Sequence, residues 1–225
     1  MTTPQRLDII TIDGPAGSGK STLSKLLARR MGYHYLDTGA MYRAVALQAR
    51  RKGIDTGVPR YLAELCRELD LHFENLDGEN RLFLGKEDVS AAIRTPEMDL
   101  LSSSVSAVKE VRDAMTALQR RIGREGKIVA EGRDMGTVVF PGAKYKFFLT
   151  ADEKVRAERR YLERAARGEP VARDDVEKEL RKRDEQDSRR AIAPLAAAED
   201  AVIVDTTKLT VEEVVEFMIE NMGRA

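Results

Sequence analysis

The chain has 225 residues, 42% hydrophobic and 34% charged, enough for one α/β domain with insertions, a real core and a heavily solvated surface. Its 38 Lys+Arg match its 38 Asp+Glu, for a formal net charge of +0; that balance argues against general nucleic-acid binding, which needs a basic excess to displace counterions, but permits a local basic pocket for a small anion. A single cysteine, Cys66, and two histidines, His34 and His72, exclude an internal disulfide and a cysteine metal cluster and speak against zinc chemistry.

Residues 1–7 are short and polar before the first apolar run, unlike a secretory signal. No stretch approaches the roughly 20 apolar residues of a membrane span, so the cytoplasm is the expected compartment. Leu7–Ile12 (LDIITI) reads as a buried strand that stops at Asp13-Gly14. Lys20–Met31 reads as a helix, with Leu23, Leu26 and Leu27 at helical spacing and Gly32 closing it. Tyr33–Leu36 is a second strand, ending at Asp37-Thr38-Gly39, and Met41–Lys52 a second helix. Strand–helix–strand–helix predicts a parallel sheet covered on both faces.

The middle breaks this rhythm. Leu71–Asn75 and Arg81–Leu84 are expected to pair as a hairpin across Asp77-Gly78, with Val89 following, so about 63–98 reads as a β-containing insertion. Pro96–Glu125 returns to helix. Lys127–Glu131, Tyr145–Leu149 and Ala201–Asp205 are predicted as the third, fourth and fifth core strands. Between the last two lie charged helices over roughly 152–167 and 174–190, joined by Gly168-Glu169-Pro170. The last helix starts at Thr210, which stands three residues before Glu213 in a capping-box spacing.

Gly14-Pro15-Ala16-Gly17-Ser18-Gly19-Lys20-Ser21 matches G-x-x-x-x-G-K-[ST] in full, after a predicted strand and at the start of a predicted helix. Glycines let backbone N–H groups approach phosphate oxygens, and the helix N-terminus adds partial positive charge. Lys20 is expected to reach the β- and γ-phosphates and the Ser21 hydroxyl to ligate Mg²⁺. The loop alone does not choose between a kinase, a GTPase switch and a motor. No guanine-reading N-K-x-D segment is present, and Asp205 is followed by the uninformative Thr206-Thr207-Lys208.

The chain does carry many arginines after its second and third strands and on its late helices. Arg183, Asp187 and Arg190 share one helical face, and Arg156, Arg159, Arg160 and Arg164 form a stripe on the helix before it. Transfer between two anions needs such charge, because donor and acceptor phosphates repel. A salt-bridged solvated face is the plainer reading of any single arginine, with Glu158, Glu163, Glu177 and Glu185 at hand.

IDGPAGSGKST (12–22), LDTGAMYR (36–43), EDVSAAIRT (87–95), EGRDMGTVVFP (131–141) and RDEQDSRRAIAPL (183–195) together resemble the bacterial cytidylate kinase family over nearly the whole chain. The resemblance implies an α/β P-loop kinase fold with a parallel five-stranded sheet and helices on both faces. It implies one kinase unit, 1–225, with a core (about 1–36, 100–152, 190–225), a monophosphate-binding part with a β-containing insertion (about 37–99) and a helical lid (about 153–189). ATP, with Mg²⁺, would phosphorylate CMP and dCMP. Gly14 to Thr22 would hold ATP. Thr38, Arg43, Arg133 and Arg183 would hold the acceptor phosphate, and Asp187 and Arg190 the ribose. Ser103, Arg112 and Asp134 would read the base, with Ser102 and Ser104 flanking Ser103. The family often has Ser where Thr38 stands, which keeps the hydroxyl.

Cytosine offers a donor at N4 and acceptors at N3 and O2, which an acidic acceptor and an arginine complement, whereas uracil reverses the polarity at N3 and at position 4. Lys20, Arg156 and Arg160 are the expected catalytic residues. The expected molecule is a monomer that binds neither nucleic acid nor membrane. A kinase for another monophosphate or for a small hydroxylated acceptor such as shikimate stays open here, as does a non-catalytic nucleotide-dependent binding module. Cys66, Met135 and His34 read as a buried thiol, a packing residue and a surface imidazole.

Overall fold

The structure, a computed structural model, describes residues 7–76 and 78–223. The polar start over residues 1–6, and Asp77 of the hairpin turn, lie outside the described residues. The described residues form two compact units, 7–36 with 125–223, and 37–124 without residue 77. Residues 100–124, expected from sequence in the core, thus pack with 37–99.

In the first unit, β1 (Leu7–Asp13), α1 (Lys20–Met31), β2 (His34–Asp37), β6 (Ile128–Gly132), β7 (Ala143–Thr150), α6 (Glu153–Ala166), α7 (Arg173–Ser188), β8 (Val202–Asp205) and α8 (Val211–Gly223) follow in chain order. The five strands form one sheet of order β2-β6-β1-β7-β8. β1 runs parallel to β6 and β7, and β7 to β8. Alternation along the strands sends Ile10, Ile12, Val129, Phe147, Leu149 and Val204 into a core closed by Leu23, Leu27 and Ala28 of α1 and by Val214, Val215, Met218 and Met222 of α8. α8 starts as expected: Glu213 N donates to Thr210 Oγ1 at 3.2 Å and Thr210 N to Glu213 Oε2 at 2.8 Å.

The register brings the functional segments to one edge. Asp13 lies beside Gly132 and Phe148, and Thr150 beside Asp205. The phosphate loop, the Arg133-Asp134 segment, the start of α6 and Thr206 therefore all leave the sheet from its carboxyl edge, where open α/β sheets bind ligands. A π-helical turn, Met135–Val139, follows β6. Its β-branched Thr-Val-Val run gives no sequence sign of a helix, and tertiary hydrogen bonds impose the turn.

The second unit holds α2 (Thr38–Arg51), α3 (Pro59–Glu68), β3 (Leu71–Leu76), β4 (Glu79–Leu84), β5 (Glu87–Asp88), α4 (Pro96–Val105) and α5 (Lys109–Ile122). β3, β4 and β5 form a three-stranded antiparallel sheet. The hairpin expected at 71–84 is present, and Gly78 adopts φ +80. Residues 63–68 belong to a helix rather than to the expected β insertion: Pro59 stands in its first turn and Leu62 and Leu65 bury one face. The helix expected over 96–125 is two helices and a 3₁₀ turn. Side-chain competition marks the break, since Ser102 Oγ donates to Asp99 O and Ser106 Oγ to Ser103 O, both at 2.9 Å. No helix among the described residues is long and apolar enough to cross a membrane.

Val111, Met115 and Gln119 run down one buried stripe of α5. Gln119 is fully buried, and neither amide atom has a hydrogen-bond partner among the described residues. A buried amide without partners is costly, and a thioether of similar length avoids that cost. Gln119→Met should raise the unfolding free energy by about 1–2 kcal/mol in urea denaturation; unchanged or lower stability would show the amide to be satisfied in solution.

Candidate active site

The phosphate loop folds as its glycines require. Gly14 adopts φ +149, and a Cβ there would lie 2.2 Å from Leu149 O. Gly17 adopts φ +74, and its Cβ would lie 2.7 Å from Arg156 O. Any other residue would push the loop off β7 or off α6. Lys20 is buried; its ammonium donates to Pro15 O at 2.5 Å and approaches Ser18 Oγ at 3.4 Å. Burial drives the Lys20 ammonium well below the usual lysine range, Arg133 and Arg183 push it the same way, and Glu131 and Asp13 oppose them.

Two more carboxylates shape this edge. Glu131, at the end of β6, accepts from Ser21 Oγ at 2.8 Å and from Tyr35 OH at 2.6 Å, both on Oε1. Asp13, one residue before Gly14, accepts from Met135 N at 2.9 Å on Oδ1 and from Gly136 N at 2.8 Å on Oδ2. Burial pushes the Asp13 carboxyl up to about 6, and Asp134 adds to the rise, against the two backbone donors and Lys20.

The expected acceptor residues of this unit gather. Arg133 Nε donates to Asp187 Oδ2 at 2.7 Å, and Arg190 pairs with Asp187 Oδ1. Burial alone would raise the Asp187 carboxyl, but Arg133, Arg190 and Arg183 together hold it below the usual range. Asp134 is buried at the head of the π-helical turn, where its carbonyl accepts from Val138 N and Val139 N. Arg156 is buried against the phosphate loop: it donates to Ala16 O and Ala151 O, each at 3.1 Å, and pairs with Asp184. Arg160 instead meets Glu163 at 2.7 Å. Arg159 donates to Thr206 O at 2.7 Å, and Thr206 Oγ1 donates to Ser18 O at 3.1 Å. Arg164 joins Glu169 and Glu179, clasping the turn between α6 and α7. The stripe on α6 thus divides into phosphate-loop contacts and a structural clasp.

In the second unit, Asp37 caps α2 by accepting from Ala40 N at 2.8 Å. The other Asp37 oxygen lies 3.5 Å from Arg43 and 3.3 Å from Arg94. Arg43 also lies 3.7 Å from Asp99. Thr38 is buried in the first turn of α2. Two arginines thus converge on the carboxylate that caps α2; Arg94, in the EDVSAAIRT segment, is not among the residues expected from sequence. Arg112 is buried, donates to Ser106 O at 3.3 Å and lies over the Tyr42 ring. Ser103 is tied to the same corner through Ser106. The Ser102 hydroxyl is directed to Asp99 O, and Ser104 is exposed. His34 is exposed and Met135 fully buried, as read from sequence, whereas Cys66 is half-buried, its thiol pushed by burial up to about 11.

Asp13 has a folded-state pKa above its unfolded one, so its stabilising contribution is present below about 3.8 and lost as pH rises through about 6. The unfolding free energy of the wild type relative to Asp13→Asn should fall by up to about 3 kcal/mol between about pH 4 and pH 6.5. Urea titrations at matched pH measure it; a flat difference would contradict the shift.

The cytidylate kinase family model matches residues 10–224. The cytidylate kinase of Geobacter sp. (strain M21) is 54% identical over 211 residues, covering 93% of this chain and 90% of that one. The cytidylate kinase of Geobacter sulfurreducens is 51% identical over 210 residues, covering 93% and 90%. The crystal structure of an uncharacterized protein from Eubacterium ventriosum ATCC 27560 shares the fold, with TM-score 0.54, 13% identity and coverage of 96% of this chain and 99% of that one. A phosphate loop on the carboxyl edge of a five-stranded parallel sheet is the P-loop kinase fold, and with these matches the chain belongs to the cytidylate kinase family.

Proposed function

We propose that this chain transfers the γ-phosphoryl group of ATP to the α-phosphate of CMP, and of dCMP, giving ADP and the nucleoside diphosphate. The observation that carries the reading is a phosphate loop, held by Arg156 on Ala16 O, at the sheet edge that also carries the cluster of Arg133, Asp187 and Arg190. Family membership supports the acceptor.

The acceptor oxygen is already anionic near neutral pH, so the transfer needs no side-chain nucleophile and no strong base. That oxygen forms a bond to the γ-phosphorus as the bond to the β-phosphate bridging oxygen breaks, and the electron pair leaves with ADP. The protein's part is positioning and charge stabilisation. The loop of 14–22, through the backbone N–H groups of its residues other than Pro15, and Lys20 hold the donor, with Arg156 fixing the loop and Arg160 serving as a lid arginine. Thr38, Arg43, Arg94, Arg133 and Arg183 hold the acceptor phosphate, and Asp187 and Arg190 the ribose. Asp134, Arg112 and Ser103 read the base; an Asp134 carboxylate accepts from the cytosine amine and meets only a carbonyl in uracil.

Among the described residues no group of three or more His, Cys, Asp or Glu gathers to hold a metal, but nucleotide-borne Mg²⁺ asks for only one or two protein oxygens. Ser21 Oγ beside the Glu131 carboxylate fits that demand. Bound there, Mg²⁺ would neutralise charge on the β- and γ-phosphate oxygens. We also take the chain to act as a cytoplasmic monomer on small molecules rather than on nucleic acid or membrane, in keeping with its balanced charge.

Lys20→Ala should fold normally and lose at least about 100-fold in kcat; near-normal turnover would overturn the scheme. In a coupled assay, kcat/KM for CMP and dCMP should exceed that for UMP and AMP by at least about tenfold. A preference for UMP or AMP would refute the base reading, and no transfer to any monophosphate with ATP still bound would point to a binding module.

A further inference from the structure

We propose that Asp13 is a positioning residue for the acceptor base: its carboxylate holds the turn that carries Asp134 and so sets discrimination between cytosine and uracil without touching either nucleotide. The inference rests on the reading of Asp134 as the base-reading acid, and adds what fixes that acid in place.

Both Asp13 oxygens are engaged by the turn. The amides of Met135 and Gly136, the two residues after Asp134, donate to Oδ1 at 2.9 Å and Oδ2 at 2.8 Å. These are first-turn donors of the π-helical segment and have no partner within it. Asp134 heads that segment, and its carbonyl accepts from Val138 N and Val139 N. The peptide units on the carboxyl side of Asp134 are thus held by Asp13 and by the turn itself. Asp134 is itself buried, so a small rotation of these peptides would displace the Asp134 carboxylate from a base edge.

Residue types at both ends of the contact agree with this role. An aspartate can accept two converging N–H donors, one on each oxygen, whereas asparagine accepts on one atom and would set an amide N–H₂ against the other donor. Gly136 permits the close approach: a Cβ there would lie 3.0 Å from Thr11 Oγ1, 3.3 Å from Lys146 Cδ and 3.4 Å from Asp13 Oδ2. A catalytic base is not the role, because both oxygens are occupied by backbone donors and the acceptor phosphate needs no base. Nor is Asp13 the hydrogen-bond anchor of Lys20, which donates to Pro15 O and Ser18 Oγ. Its retention in a buried place that disfavours its charge is explained by the pair of amides it orients.

The test is steady-state kinetics of the full chain with CMP, UMP and ATP for the wild type, Asp13→Asn, Gly136→Ala, Asp134→Asn and the Asp13→Asn/Asp134→Asn double variant, with thermal unfolding of each. Asp13→Asn should raise KM for CMP about tenfold and lower the CMP:UMP ratio of kcat/KM about tenfold, with KM for ATP within about twofold. Gly136→Ala should show the same pattern at about threefold. The double variant should match Asp134→Asn in its CMP:UMP ratio, since a positioning residue has no effect once the positioned group is gone. An unchanged ratio in Asp13→Asn beside a lowered one in Asp134→Asn overturns the inference alone. A ratio unchanged in Asp134→Asn overturns the base reading, and this inference with it. A rise in KM for ATP that tracks the rise for CMP would make Asp13 a support of the phosphate loop and overturn it too. If Asp13→Asn does not fold, Gly136→Ala decides by the same criteria, and failure of both to fold leaves a structural role only, which overturns the proposal.

Discussion

Positive charge is crowded at the carboxyl edge of the sheet more densely than a fold left to maximise stability would tolerate. Lys20 is buried, and Arg133 and Arg183 stand near enough to push its ammonium toward the neutral form. Taking like charges out of water together is costly unless carboxylates offset them. Glu131 and Asp13 do so for Lys20, and Asp187 does so for Arg133 and Arg190. Burial is the larger part of what holds the Lys20 ammonium below the usual lysine range, and the two arginines add to it against Glu131 and Asp13. Preorganised positive charge of this kind is what a fold that handles phosphates needs, and here it comes at the cost of burial.

The parallel register determines where that charge can gather. Because Asp13 stands beside Gly132 and Thr150 beside Asp205, segments far apart in sequence leave the sheet at one level. Gly14 and Gly17 then let the loop settle against Leu149 O and Arg156 O, closer than any side chain would allow. Arg156 returns the contact by donating to Ala16 O. The loop is therefore clamped from β7 and from α6 as well as by its own helix, and Lys20 inherits a fixed direction from that clamp. Thr206 adds a tie from β8, donating to Ser18 O while Arg159 donates to Thr206.

Much of this was legible in the sequence because local chemistry and tertiary structure agree at those points. Apolar runs that end in Asp13-Gly14 or Gly132-Arg133 are both good strands and good strand ends, and Thr210 with Glu213 caps a helix by a contact three residues long. What escaped the reading depends on partners distant in sequence. The π-helical turn at 135–139 exists because Asp13, more than 120 residues earlier, receives its first amides. Glu131 reads as the last residue of a strand until Ser21 and Tyr35 are seen to converge on it. Arg94 sits on an unremarkable exposed stretch, and only its 3.3 Å approach to Asp37 marks it. The helix at Pro59–Glu68 differs, because its marks are local, a proline start and a Leu62 and Leu65 face, and lie just ahead of a stretch of strand signals.

Donor and acceptor are recognised by different physical means, and this explains why one was plain in sequence and the other needed a resemblance. A triphosphate is gripped by backbone amides, so its signature is a spacing of glycines whose function is steric and which tolerates few substitutes. A nucleobase is distinguished by the polarity of a few side-chain atoms, and arginines, aspartates and serines occur everywhere on protein surfaces. Their meaning comes from orientation, which sequence does not encode locally. Asp13 joins a segment of each kind, because its backbone leads into Gly14 while its carboxylate receives the amides after Asp134. The two segments are held unequally: the phosphate loop has Arg156, Thr206 and its own helix against it, whereas among the described residues the first two amides after Asp134 are received by Asp13.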